Sequence, residues 1–152
     1  MKISVRGKTN GLSKRSTKYI CNQISDMLLS SRLSKNIYVQ IQYMRLEEGT
    51  WGYCSPVDFD SRQHREFEIL LDSEISKEKQ LKTLVHELVH LKQFAKGEFK
   101  QYEGYNYRWL GKKITISSED YDTLPWEIEA ISSEKTLCEQ LAKKMKLDNI
   151  TV

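Results

Sequence analysis

The most constraining stretch of the chain is residues 77–96. Leu81, Leu84, Val85, Leu88, Leu91 and Phe94 recur there at intervals of three and four and so share one side of a helix. Ser76 stands before the run as an N-cap and Gly97 after it as a stop, which sets both ends. Inside it lies His86-Glu87-Leu88-Val89-His90. A spacing of four places the two imidazoles on one face, one turn apart. A polar His-Glu-His row within an apolar helix costs stability unless its groups find partners, and the chain has only 3 histidines to place.

The rest of the chain reads as α+β, in the order α, three strands, α, hairpin, α. Ser13 caps a first amphipathic helix over 14–33, with Ile20, Ile24, Met27 and Leu28 at helical spacing. Residues 36–46 alternate, with Ile37, Val39, Ile41 and Tyr43 on one face, as in a half-buried strand. Short strands are expected over 50–54 and 65–72, and a hairpin over 105–116 that turns at Gly111-Lys112. Leu124-Pro125 opens a last helix whose apolar residues are Ile128, Ile131, Leu137, Leu141 and Met145. Residues 1–12 read as a flexible basic arm or an edge strand. The expected architecture is a small mixed sheet packed on an N-terminal helix and the 77–96 helix, with a further C-terminal helix.

A length of 152 residues suits one domain, 1–152, and 39% hydrophobic with 30% charged residues is the composition of a folded chain. The net charge of +3 conceals a basic start: residues 1–35 hold eight Lys/Arg against the single acid Asp26. Such a cluster can steer the chain to an acidic partner or to nucleic acid, although most basic clusters are solvated surface. Cys21, Cys54 and Cys138 are odd in number and lack Cys-x-x-Cys spacing, the usage of reduced thiols rather than of a disulfide framework. Residues 1–13 hold no apolar stretch of the kind an export signal carries, and no run is long enough for a membrane span. The expected location is the cytoplasm.

Neutral imidazole nitrogens suit Zn²⁺, and a glutamate between two such histidines, rotated around the helix, can reach a metal-bound water without ligating the metal. His86 and His90 are therefore candidate ligands of one zinc ion and Glu87 the candidate general base. A catalytic site needs a third protein ligand and an open position. No histidine follows His90, and His64 sits in a charged loop (Arg62, Gln63, Arg65, Glu66) that reads as solvent-exposed. The third donor is then a carboxylate, and Glu127 and Glu129, at the start of the last helix, are the candidates.

With these two segments the chain resembles the gluzincin branch of the zincin metallopeptidases, in particular compact ImmA/IrrE-like proteins. There, His-Glu-x-x-His is followed on the next major helix by a ligand Glu with Ala three residues later. The resemblance covers roughly residues 36–145 and implies Glu127 as the ligand, because Ala130 takes the matching place. It also implies a substrate-binding edge strand just before the active-site helix, here residues 65–72. The acid or amide that commonly follows the Ala is Ile131 in this chain, so Glu129, Glu134 or a backbone carbonyl is expected to orient a ligand histidine. SprT-like zincins have a similar layout but add a third histidine after the first two, which this chain lacks.

The implied activity is peptide hydrolysis by water activated on zinc with Glu87 as base, on a protein or peptide substrate. Tyr105, Tyr107 and Tyr121 are candidate donors to the oxyanion. Two other readings compete. One is a zinc-binding regulatory or interaction module, DNA-associated through the basic N-terminal segment; the other is a metal-free structural domain, whose stability chelators would leave unchanged.

Overall fold

The computed structural model describes residues 1–58, 61–102, 106–115 and 123–151. Among them the chain forms strand β1 (Lys2–Arg6), helices α1 (Lys14–Leu28) and α2 (Ser31–Lys35), strands β2 (Tyr38–Met44), β3 (Gly52–Pro56) and β4 (Glu66–Asp72), helix α3 (Lys77–Lys96), strands β5 (Phe99–Tyr102), β6 (Asn106–Trp109) and β7 (Lys112–Ile114), and helix α4 (Pro125–Leu147). This is an α+β fold with one mixed four-stranded sheet and a separate three-stranded sheet. Among the described residues no helix is long and apolar enough to cross a membrane.

The four-stranded sheet runs β1-β2-β4-β3. β1, β2 and β4 are parallel, with Ile3, Val39 and Phe67 in register, whereas β3 pairs antiparallel to β4. Alternation puts Val39, Ile41 and Tyr43 of β2 and Phe67, Ile69 and Leu71 of β4 on one face, all buried. Onto that face pack Ile20 and Ile24 of α1 and Leu84, Val85, Leu88 and Leu91 of α3, with Leu137 and Leu141 of α4 completing the core.

The residues 65–72 expected at the sheet edge are instead interior: β4 lies between β2 and β3. Phe67, Ile69 and Leu71 are buried and Leu70 is half-buried, in a strand paired along both edges. β3 is the true edge, and its Gly52 and Pro56 are residue types suited to one. At the opposite edge lies β1, so residues 1–12 supply an edge strand rather than a loose arm. Its Lys2 and Arg6 alternate with core-packed Ile3 and Val5, while Lys14, Arg15 and Lys18 are exposed on α1. Lys2 and Arg6 thus lie on the other side of the sheet from Lys14, Arg15 and Lys18.

Two further elements differ from the sequence reading. The helix expected over 14–33 breaks at Leu29, which is extended (φ −122°, ψ 147°), and Ser30 Oγ accepts the Leu33 N–H at 3.2 Å to start α2. The break lets Leu29 reach the core. The hairpin is β6–β7, turning through Leu110 and Gly111 at φ +48° and +82°, the twist a tight hairpin requires. The unexpected β5 pairs with it in register Phe99↔Trp109.

Candidate metal centre

The Ser76 and Gly97 stops act as expected: Ser76 Oγ accepts the Lys79 N–H, and Gly97 takes a left-handed φ of +70°. Between them α3 carries His86 and His90 on the side turned toward α4. Rotation of α4 decides the rest of the site. Its sequence offers Ile128 and Ile131 as the apolar stripe, yet these are 53% and 52% exposed while Glu127 is 4% exposed. The stripe that packs inward is Trp126, Glu127, Ala130, Leu137 and Leu141. Two isoleucines stay in water, and a carboxylate is carried into the interior. Since burying an unpaired carboxylate is costly, its partners explain the arrangement.

Those partners are the two imidazoles. Glu127 Oε2 lies 3.3 Å from His86 Nε2, Glu127 Oε1 lies 3.3 Å from His90 Nε2, and the two Nε2 atoms are 3.1 Å apart. Among the described residues these three form a group of donors able to hold one metal ion. One ligand atom from each residue lies within 4.8 Å of the others, close enough to gather on one ion, whose tetrahedral bonds of about 2.0–2.1 Å set neighbouring ligand atoms about 3.3–3.4 Å apart.

Glu129, two residues on, points elsewhere. It accepts Lys92 Nζ at 2.6 Å and Gln93 Nε2 at 2.8 Å. The remaining histidine, His64, is mostly buried rather than exposed: its Nδ1 lies 3.0 Å from Asp58 Oδ1 and its ring meets Phe94 edge-on. It belongs to a clip in which Asp58 also accepts the Arg65 N–H, and it is not a member of the metal group.

The triad opens into a cavity of about 760 Å³, which Glu87 also lines. One wall is the β3 edge at Gly52, Tyr53 and Cys54; the other is aromatic, with Phe94, Phe99, Tyr107 and Trp126. Phe99 stacks on Trp126 at 4.3 Å and Tyr107 on Phe99 at 6.1 Å, so Tyr107 is built into that wall. Tyr105 and Tyr121 lie outside the described residues. Burial raises the Glu87 pKa to about 7, with Glu127 adding to the rise and the two histidines opposing it. Burial acts to lower the His90 pKa, but Glu127, Glu87 and Gln93 outweigh it and hold it above its ordinary value. Cys54 is pushed well up by burial and by the Glu87 charge, which keeps it a thiol rather than the thiolate a metal would need.

The histidines are oriented from behind by groups the sequence did not single out together. Glu134 Oε2 lies 3.7 Å from His86 Nδ1. His90 Nδ1 meets Gln93 Oε1 at 2.8 Å. Gln93, one turn after His90 and fully buried, was absent from the expected set. Its only sequence signal is an amide in the apolar half of a helix.

Comparison of the chain with models of known families, with curated proteins and with solved structures finds no match.

Proposed function

We propose that the protein is a zinc-dependent metallopeptidase of the gluzincin type, with His86, His90 and Glu127 as ligands and Glu87 as general base. The observation that carries this reading is Glu127, a carboxylate buried against two imidazoles on a helix that leaves Ile128 and Ile131 in solvent. Two imidazoles and one carboxylate are a donor set that zinc favours, and three protein ligands leave a fourth position free. When bound, zinc supplies Lewis acidity, which makes water nucleophilic near neutral pH and polarises a carbonyl.

Glu87 faces the same cavity and takes the proton of the attacking water and passes it to the departing amine nitrogen. The substrate strand pairs along β3, whose outer edge pairs with no other strand among the described residues. Main-chain bonds there supply affinity, and side-chain pockets on the aromatic wall supply selectivity.

Elemental analysis of wild type beside Glu127→Ala and Glu129→Ala tests the centre. The expected result is about one zinc per wild-type chain, lost in Glu127→Ala and retained in Glu129→Ala at saturating zinc. Glu87→Gln should keep zinc and the fold while peptide hydrolysis falls about 10²–10⁴-fold. A wild-type chain that takes up no zinc on reconstitution overturns the reading. Full zinc uptake with Glu87→Gln as active as wild type removes the assigned base.

A further inference from the structure

We infer that Gln93 is a positioning residue for the metal centre: its amide, held by Trp126 and Glu129, fixes the His90 ring with a proton on Nδ1 and the Nε2 lone pair aimed at the metal. The inference rests on the zinc reading above. Gln93 has one orientation that satisfies all its neighbours. Its Nε2 donates to the Trp126 carbonyl at 2.9 Å and to Glu129 Oε2 at 2.8 Å, and both of those oxygens can only accept. A flipped amide would set oxygen against both. Oε1 must therefore face His90 Nδ1, 2.8 Å away, and since Oε1 can only accept, Nδ1 carries the hydrogen. An imidazole that ligates zinc is neutral and has one N–H, so Nε2 is left with its lone pair on the side of Glu127 and His86.

The chain of contacts continues behind Gln93. Lys92, 9% exposed, lies 2.6 Å from Glu129 Oε1 and 2.7 Å from Glu98 Oε2, so the second oxygen of Glu129 is left for Gln93. Glu98 is delivered by the turn that ends α3, where its own N–H bonds the Gln93 carbonyl at 2.9 Å. His90 is thus held through α3, α4 and the turn into β5. His86 has a looser support, a half-exposed Glu134 at 3.7 Å.

The two ligand histidines should respond differently when their supports are removed. Zinc Kd is measured by competition with a chromogenic chelator on the full chain. Gln93→Met should weaken zinc about 10–100-fold, the usual cost of losing a ligand's outer partner. Glu129→Gln turns an amide donor toward the Gln93 donor and should weaken zinc in the same direction by less. Glu134→Gln should stay within about threefold of wild type, below the usual outer-partner cost. In the zinc-loaded wild type, NMR should show His90 Nδ1–H as a slowly exchanging, downfield proton on ¹⁵N; in Gln93→Met that protection should be gone. The wild-type spectrum needs no variant to fold, and Glu129→Gln changes only a half-buried group. An His90 Nδ1–H as unprotected in wild type as in Gln93→Met, or a zinc Kd in Gln93→Met equal to that of wild type, overturns the inference and leaves the zinc reading standing. A wild type that binds no zinc overturns both.

Discussion

Near the start of α3, Gln80 has no exposed surface; near its end, Gln93 has none either. Gln80 Oε1 accepts the Leu12 N–H at 2.9 Å, and its Nε2 donates to Thr9 Oγ1 at 2.7 Å and to the Asp72 carbonyl at 3.0 Å. All of these belong to the loop after β1 and the end of β4, so the amide ties the N-terminal segment to the sheet. Gln93 instead ties a histidine, a helix start and a carboxylate that all border the cavity. Residue type, burial and helix are the same; the partners differ. Burial of a polar side chain therefore marks a demand for partners, and only the identity of those partners separates a structural knot from a site.

The largest effect expected from this contrast comes from Gln80→Met. It leaves the Leu12 N–H and the Asp72 carbonyl short of a buried partner, each worth about 1–3 kcal/mol, so urea unfolding should show a loss of several kcal/mol. Zinc Kd in the fraction that remains folded should match wild type. A Gln80→Met protein of normal stability and weakened zinc would erase the distinction between the two ends of the helix.

The middle of α3 should show an intermediate response, because there the edge strand touches both the core and the base. A Cβ on Gly52 would lie 2.6 Å from Thr83 Cγ2, 3.1 Å from the Leu70 carbonyl and 3.2 Å from Glu87 Oε1. Gly52→Ala should cost about 1–3 kcal/mol as an overpacked contact and should also lower hydrolysis, since β3 and Glu87 are pushed apart. Thr83→Ser removes the nearest methyl and should recover part of the stability. Full recovery of stability without recovery of hydrolysis would assign the damage to Glu87 and the strand edge alone.

These contrasts also mark what the sequence could reveal. His86, Glu87 and His90 are legible because their relation is local, set by helical spacing alone. Glu127 and Glu129 are both visible as acids at a helix start, but which one turns inward depends on the rotation of α4. There the apolar signal of Ile128 and Ile131 points the wrong way: the stripe that packs inward contains Glu127 in their place. Gln93 was missed because the partners that define it, Trp126 and Glu129, lie more than 30 residues away. The edge assignment failed for a different reason. The sequence does hold Gly52 and Pro56, residue types suited to an edge, and the continuous apolar Ile69-Leu70-Leu71, suited to an interior strand, but the edge was taken from the resemblance, which places it next to the helix in chain order rather than in space. β5, four residues with only Phe99 buried, has no period to read.

The smallest and sharpest comparison uses the two caps of α3. Ser76→Ala removes the bond from the Lys79 N–H, 3.3 Å from Ser76 Oγ, and should cost about 1 kcal/mol. Gly97→Ala forces a Cβ into a left-handed residue at φ +70° with only Lys100 Cε nearby, 3.4 Å away, and should cost about 1–2 kcal/mol through backbone strain. The stability losses are close enough that, were the metal centre sensitive only to the general integrity of the helix, both variants would weaken zinc alike. They should not. The Ser76 end adjoins the Gln80 knot, whereas the Gly97 turn places Glu98 against Lys92 and binds the Gln93 carbonyl. Zinc Kd should rise in Gly97→Ala and hold in Ser76→Ala, measured side by side by chelator competition with melting temperature as the control. Equal weakening would show that zinc affinity tracks helix stability as a whole and would return Gln93 to the same structural class as Gln80.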